Sequence, residues 1–201
     1  IIIKKNIPSK AGLGGGSSDA AAMLRACNRL FDLELSDDEL RHIAASLGSD
    51  IPFLIAGGSA IVSGFGDEIE LLTEIPDFHA VLFFSDTSCG TEAVYGRFDA
   101  QGTAVLRAHA VRETISTGHF FNDLAEPALE EAPPLRSHLK AIESTAKRPI
   151  YVSGSGSTLF LTCDTDLEAG AIAAAIQATH TVSAIATHPT SLNARPLKSI
   201  E

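Results

Sequence analysis

The chain predicts an α+β fold, with two sheets and helices packed on one face of each. Three observations predict it. Strand-like apolar runs and helix-periodic runs alternate along the chain, without one strict βαβ period and without internal repeats. Hydrophobic residues make up 45% and charged residues 20% of 201 positions, the composition of a packed protein and not of a disordered one. The length suits one large or two small domains, and Pro76-Asp77 marks a break between residues 1–75 and 76–201.

Residues 1–7 read as a strand, with Lys4 and Lys5 near its end. A glycine-rich loop follows, and a first helix runs from about Ser18 to Leu30. Ser36-Asp37-Asp38-Glu39 is a capping box, Ser at the N-cap and Glu at N3. It opens a second helix with Leu40, Ile43, Ala44 and Leu47 as the inner stripe and Gly48 as the stop. Pro52 fits the first turn of a short third helix capped by Asp50, which Gly57-Gly58 ends. Residues 59–64 and 68–73 pair as a hairpin turning at Gly64, Gly66 and Asp67.

The second part opens with an apolar strand, residues 80–84, followed by a helix carrying Val94, Tyr95 and Phe98. Further helices are expected over about 104–116, after Asn122-Asp123-Leu124, and from Pro134 to about Ala146. Strands at 150–152, 158–163 and 181–187 and an alanine-rich helix at 167–178 complete the chain.

A net charge of -10 and the lack of a basic cluster argue against a nucleic-acid partner. No apolar run approaches a membrane span. The three cysteines are widely spaced and match no metal or redox pattern. Cys27 and Cys163 read as small core residues, and a reducing cytoplasm is the simplest setting. The histidines show no ligand spacing, and His42, His79 and His119 read as surface or satisfied residues.

Chemistry concentrates in Pro8-Ser9-Lys10-Ala11-Gly12-Leu13-Gly14-Gly15-Gly16-Ser17-Ser18, where four glycines fall within five positions. Such a loop opening into a helix presents unpaired amides and the positive end of the helix dipole to an anion, usually phosphate. A P-loop would need Lys where Ser17 stands, and a dinucleotide fingerprint would need Gly there. The bland alternative is a tight turn with Ser18 as N-cap and nothing bound.

Gly12-Leu13-Gly14-Gly15-Gly16-Ser17-Ser18 resembles the second motif of the GHMP small-molecule kinases. The resemblance implies a two-domain architecture of that family. It implies that residues 8–18 wrap the phosphates of ATP, with Ser17 or Ser18 near Mg2+ and Lys5 near the nucleotide. For Lys5 a solvated strand-end charge is an equal reading. Asp50, in Asp50-Ile51-Pro52-Phe53, resembles the family aspartate that acts on the acceptor hydroxyl. As a bare residue it would more often be a helix cap, and the two roles are compatible.

Gly154-Ser155-Gly156 resembles the family's third motif, against the phosphate region; the plain reading is a hairpin turn between Val152 and Thr158. Thr91-Glu92-Ala93-Val94-Tyr95 resembles a stretch whose aromatic stacks on a cytosine, so Tyr95 is either a base platform or a core residue with a paired hydroxyl. Asn122-Asp123-Leu124 also matches a family string, read as structural.

Within the family, Gly14-Gly15-Gly16-Ser17-Ser18-Asp19-Ala20-Ala21-Ala22 points to the branch of the non-mevalonate isoprenoid route. Its members phosphorylate the 2-hydroxyl of a cytidine diphosphate-linked methylerythritol. Alternatives are another member acting on homoserine or mevalonate, and a catalytically silent nucleotide-binding module. Family members also carry an earlier segment, with a lysine that partners the aspartate and residues that hold the cytidine. The chain as given begins at Ile1, so the resemblance implies an incomplete first domain and a piece that would not turn over alone.

Overall fold

The structure, a computed structural model, describes residues 1–72, 78–102, 111, 114, 117 and 119–189. The described residues form two compact units, one from residues 14–72 and one from residues 1–13 and 78–188.

The first unit contains α1 (Gly15–Leu30), α2 (Asp37–Ala45), α3 (Ile51–Ala56) and the antiparallel hairpin β1 (Ser59–Ser63) and β2 (Glu68–Leu72). The three helices pack on one another around Ala21, Leu40, Ala44, Ile51 and Ile55. The capping box forms in full: Glu39 N donates to Ser36 Oγ at 3.3 Å, and Ser36 N donates to Glu39 Oε2 at 2.8 Å. Two expectations are corrected here. The first helix begins at Gly15, not Ser18, because Gly14 takes the N-cap and Ser18 N already donates to Gly14 O at 2.8 Å. The inner stripe of the second helix is narrower than expected: Leu40 and Ala44 are buried, whereas Ile43 is 40% and Leu47 59% exposed. The i, i+4 ridge alone meets its neighbours, and Leu47 falls past the last helical residue, Ala45.

The second unit contains β3 (His79–Phe84), α4 (Thr91–Ala100), α5 (Ala125–Glu131), α6 (Pro133–Ala146), β4 (Tyr151–Val152), β5 (Leu159–Cys163), α7 (Asp166–Thr179) and β6 (Ser183–Thr187). Its sheet is antiparallel in the order β4-β5-β3-β6, with Val81 opposite Leu161 and Ala186. Period-two alternation sends Val81, Phe83, Leu159 and Leu161 to the helix-covered face, where Leu135, Ile142 and Ile176 complete the core. Ala169, Ala173 and Ile176, at helical spacing, bury one stripe of α7. On the other face, Phe120 meets Tyr151 and Phe160 edge-on, with ring centroids 5.4 and 5.5 Å away.

The strand expected over residues 1–7 does not form. Its apolar pattern gives the segment a capacity to pair, but a strand exists only in a ladder, and the two sheets of the described residues do not include it. The helix expected over about 104–116 falls largely outside the described residues.

Candidate active site

The glycine loop begins at the surface. Lys5, Pro8, Ser9 and Lys10 are exposed, the chain turns at Ser9-Lys10, and Ala11 is buried. At Gly12 it meets the second glycine loop. Gly12 has φ +70°, and a Cβ there would stand 2.2 Å from Ser153 O and 2.7 Å from Gly156 O. No residue but glycine fits a backbone pressed this closely. Two hydrogen bonds fasten the crossing: Ser153 Oγ donates to Gly12 O at 2.8 Å, and Thr158 N donates to Ala11 O at 3.1 Å. Each is worth about 1 kcal/mol net.

Residues 153–158 also close the β4–β5 hairpin, where Ser153 N donates to Thr158 O at 2.9 Å and Gly156 N to Ser153 O at 2.9 Å. The hairpin-turn reading is therefore true as geometry, and it does not exclude a second role. Three side chains grip this turn from outside. Asn122 Nδ2 donates to Val152 O at 2.9 Å and to Gly154 O at 2.7 Å. Thr91 Oγ1, at the start of α4, lies 3.2 Å from Ser155 Oγ. Cys89 stands behind Gly156, its Sγ 3.0 Å from where a Cβ would be. Burial, with the Glu131 charge second, holds the Cys89 thiol above the usual thiol range, so it packs as an unreactive wall.

Tyr95, one turn into α4, is 50% exposed, while its neighbour Val94 is fully buried. The core reading of Tyr95 is overturned, because the helix turns Val94 inward at this point and Tyr95 outward.

In the other unit, the loop runs on through Gly14 into α1. Gly14 is left-handed, with φ 61° and ψ 17°, and no side chain caps the helix. No acidic residue lies in its first turn. Ser18 Oγ donates back to Gly15 O at 3.0 Å, which leaves the hydroxyl's lone pairs available to a cation. A Cβ added at Gly16 would have nothing within 4 Å, so there is open space above the first turn. A helix start that no side chain caps, with clearance above it, fits an anion such as phosphate.

Asp50 occupies the N-cap position of α3 and is exposed. The expected cap is not made. Its backbone is αR (φ -81°, ψ -19°), whereas capping needs an extended N-cap, and its side chain makes no capping bond. The helix start relies on Pro52, which lacks the amide that would want a cap. The carboxylate is thus left over from the local structure. The backbone leading to it is held by the tip of the β1–β2 hairpin: Gly66, at φ +90°, rests on Ser49, and a Cβ there would stand 1.9 Å from Ser49 O.

Sequence reasoning missed the parts played by Ser153, Asn122 and Gly66. Each acts through backbone far away in sequence; Asn122 lay in a family string and Gly66 in a turn signal, and neither signal pointed to the distant contact. Cys163 is buried as expected, Cys27 is partly buried, and Cys89, left unassigned, is fully buried. Among the described residues no group of three or more His, Cys, Asp and Glu side chains assembles as a metal site. No helix among them is long and apolar enough to cross a membrane.

The profile of the GHMP kinases N terminal domain matches residues 1–58. A 4-diphosphocytidyl-2-C-methyl-D-erythritol kinase from Streptomyces avermitilis is 38% identical over 192 residues, covering 89% of this chain and 64% of its own length. A kinase of the same name from Persephonella marina is 33% identical over 166 residues, covering 80% and 60%. The chain thus spans about three fifths of the length of these relatives. A crystal structure of 4-(cytidine 5'-diphospho)-2C-methyl-D-erythritol kinase superposes with a TM-score of 0.75 at 32% identity, over 92% of this chain and 68% of that one. A glycine loop that opens an uncapped helix, set in a fold shared at this identity and coverage, makes the chain a member of the GHMP kinase family.

Proposed function

We propose that this protein phosphorylates the 2-hydroxyl of 4-diphosphocytidyl-2-C-methyl-D-erythritol with ATP, a step of the non-mevalonate route to isoprenoid precursors. The observation that carries the reading is the start of α1, opened by glycine and capped by no side chain, in a chain whose 33–38% identical relatives bear that kinase's name. Residues 1–75 then correspond to the family's N-terminal domain, which the match over residues 1–58 supports, and residues 76–201 to its C-terminal domain. The three free cysteines suit a reducing cytoplasm.

The chemistry follows from what these side chains can do. The amides from Gly12 to Ser17 donate to the ATP phosphates and offset the charge that builds on them, while that of Ser18 already serves Gly14 O. The hydroxyls of Ser17 or Ser18 would hold a Mg2+ ion, which would supply positive charge against that of the phosphates. Gly154 to Gly156 wall the phosphate region. Asp50, unused as a cap, orients the acceptor hydroxyl and takes its proton as the new O–P bond forms and the bond to the β-phosphate oxygen breaks, releasing ADP. Tyr95, exposed on α4, offers a ring on which cytosine stacks.

The test is Asp50→Asn in the full-length protein, assayed with MgATP and the cytidylyl substrate. The turnover rate should fall by about 10²–10⁴-fold. ATP affinity and stability should stay unchanged, since no cap is lost. Unchanged turnover would remove Asp50 from the mechanism, and equal turnover of homoserine or mevalonate would replace the acceptor.

A further inference from the structure

We propose that Asn122 is a positioning residue for the phosphate-side loop, acting on it through Gly154; this rests on the reading that residues 154–156 wall the phosphate region. One carboxamide engages three backbone groups. Its Nδ2 donates to Val152 O at 2.9 Å and Gly154 O at 2.7 Å, and its Oδ1 accepts from Leu124 N at 2.9 Å. The acceptor half folds the Asn122-Asp123-Leu124 turn that leads into α5, a local task that many polar residues perform. The donor half does something else. It holds two carbonyls, the last of β4 and the second of the loop, to the start of α5.

Gly154 in turn lies against Gly12. A Cβ on Gly154 would stand 3.3 Å from Gly12 O, the same carbonyl that takes the Ser153 hydroxyl. The chain of contact therefore runs from Asn122 to Gly154 to Gly12, the point from which the first loop proceeds to α1. Asn122 reaches Gly12 by way of Gly154, so its influence on nucleotide is indirect. Only a side chain with an acceptor and a doubly donating nitrogen at this length performs both tasks. Aspartate keeps the acceptor and turns an oxygen toward two carbonyls. Serine keeps a short acceptor for the turn and does not reach the loop.

The experiment compares the full-length protein with its Asn122→Asp and Asn122→Ser variants, by amide hydrogen exchange and steady-state kinetics. In both variants the amides of residues 153–156 should exchange about tenfold faster, while those in the β3–β5 ladder keep their rates. KM for ATP should rise about tenfold with KM for the acceptor unchanged, a split that a merely structural residue would not give. Folded variants with wild-type exchange at 153–156, or with faster exchange and an unchanged KM for ATP, overturn the proposal. If the wild-type loop gains no exchange protection from MgATP, the phosphate reading of the loop fails, while faster exchange in the variants would still establish the brace. Should Asn122→Asp prevent folding, the Asn122→Ser protein carries the test. Should both fail to fold, the wild-type Nδ2 protons decide it: protection from exchange supports the brace and free exchange overturns it.

Discussion

Two helices in the same unit begin in opposite ways. At α2 the sequence supplies everything the free amides need, with Ser36 and Glu39 exchanging hydrogen bonds and three acidic residues, Asp37, Asp38 and Glu39, in the first turn. At α1 it supplies nothing of the kind: the N-cap is Gly14, no side chain caps the helix, and the first turn carries no acid. A helix start costs stability unless its amides are satisfied. The contrast teaches that α2 is capped by its own side chains, whereas no side chain caps α1, which is the geometry the proposed phosphate site calls for.

The harshest way to break this contrast lies just upstream, at Gly12. A methyl there collides with the carbonyls of Ser153 and Gly156 at a backbone angle that suits glycine alone. Gly12→Ala should cost about 3 kcal/mol in chemical denaturation and abolish measurable MgATP binding. Gly16→Ala sharpens the contrast. With nothing within 4 Å of the new methyl, the change should stabilise the protein without ligand by about 0.5–1 kcal/mol. It should also weaken MgATP binding about tenfold, because the space it fills is where phosphate would approach. Binding and melting measured on the same sample would show the opposite signs.

A smaller effect separates two serines. Ser36→Ala removes a working cap and should cost about 1 kcal/mol. Ser18→Ala should leave stability within about 0.5 kcal/mol, since Ser18 Oγ only returns a bond to Gly15 O. The smallest effect is that of acid. The Ser36 hydroxyl, and after it the Ser36 amide, donate to Glu39 and hold its carboxyl below the usual carboxylate range. A group lowered in the folded state stabilises above its unfolded pKa, and this is lost as pH falls through the folded value. A pH titration followed by carboxyl NMR should therefore find Glu39 titrating below a free glutamate, with the start of α2 fraying as it does. The start of α1, with no acid in its first turn, should show no such step.

Much of this was legible in the chain. The capping box, the Gly64–Asp67 turn and the alanine-rich helix near 167–178 rest on contacts within a few residues, and the apolar run at 80–84 marked its strand although the ladder partners, β5 and β6, lie far along the chain. Their patterns state the structure directly. Asp50 was half legible: its string named the position, but a cap was the natural local reading. The αR backbone at the start of α3 removed that reading. Residues 1–7 show the reverse failure, a β pattern that joins neither sheet of the described residues. Tyr95 and Val94 were alike as apolar positions, and only the packing of α4 distinguished them.

By itself, then, the sequence determined which stretches turn and which become helical, because these depend on φ preferences and bonds between near neighbours. The tertiary structure alone decided that Gly12 and Gly154 press together, that Asn122 holds the loop carrying Gly154, and that Gly66 supports the backbone before Asp50. Those contacts end on backbone atoms, with partners up to 141 residues apart. A carbonyl carries no side-chain signature, so nothing in the order of residues announces where it will be met.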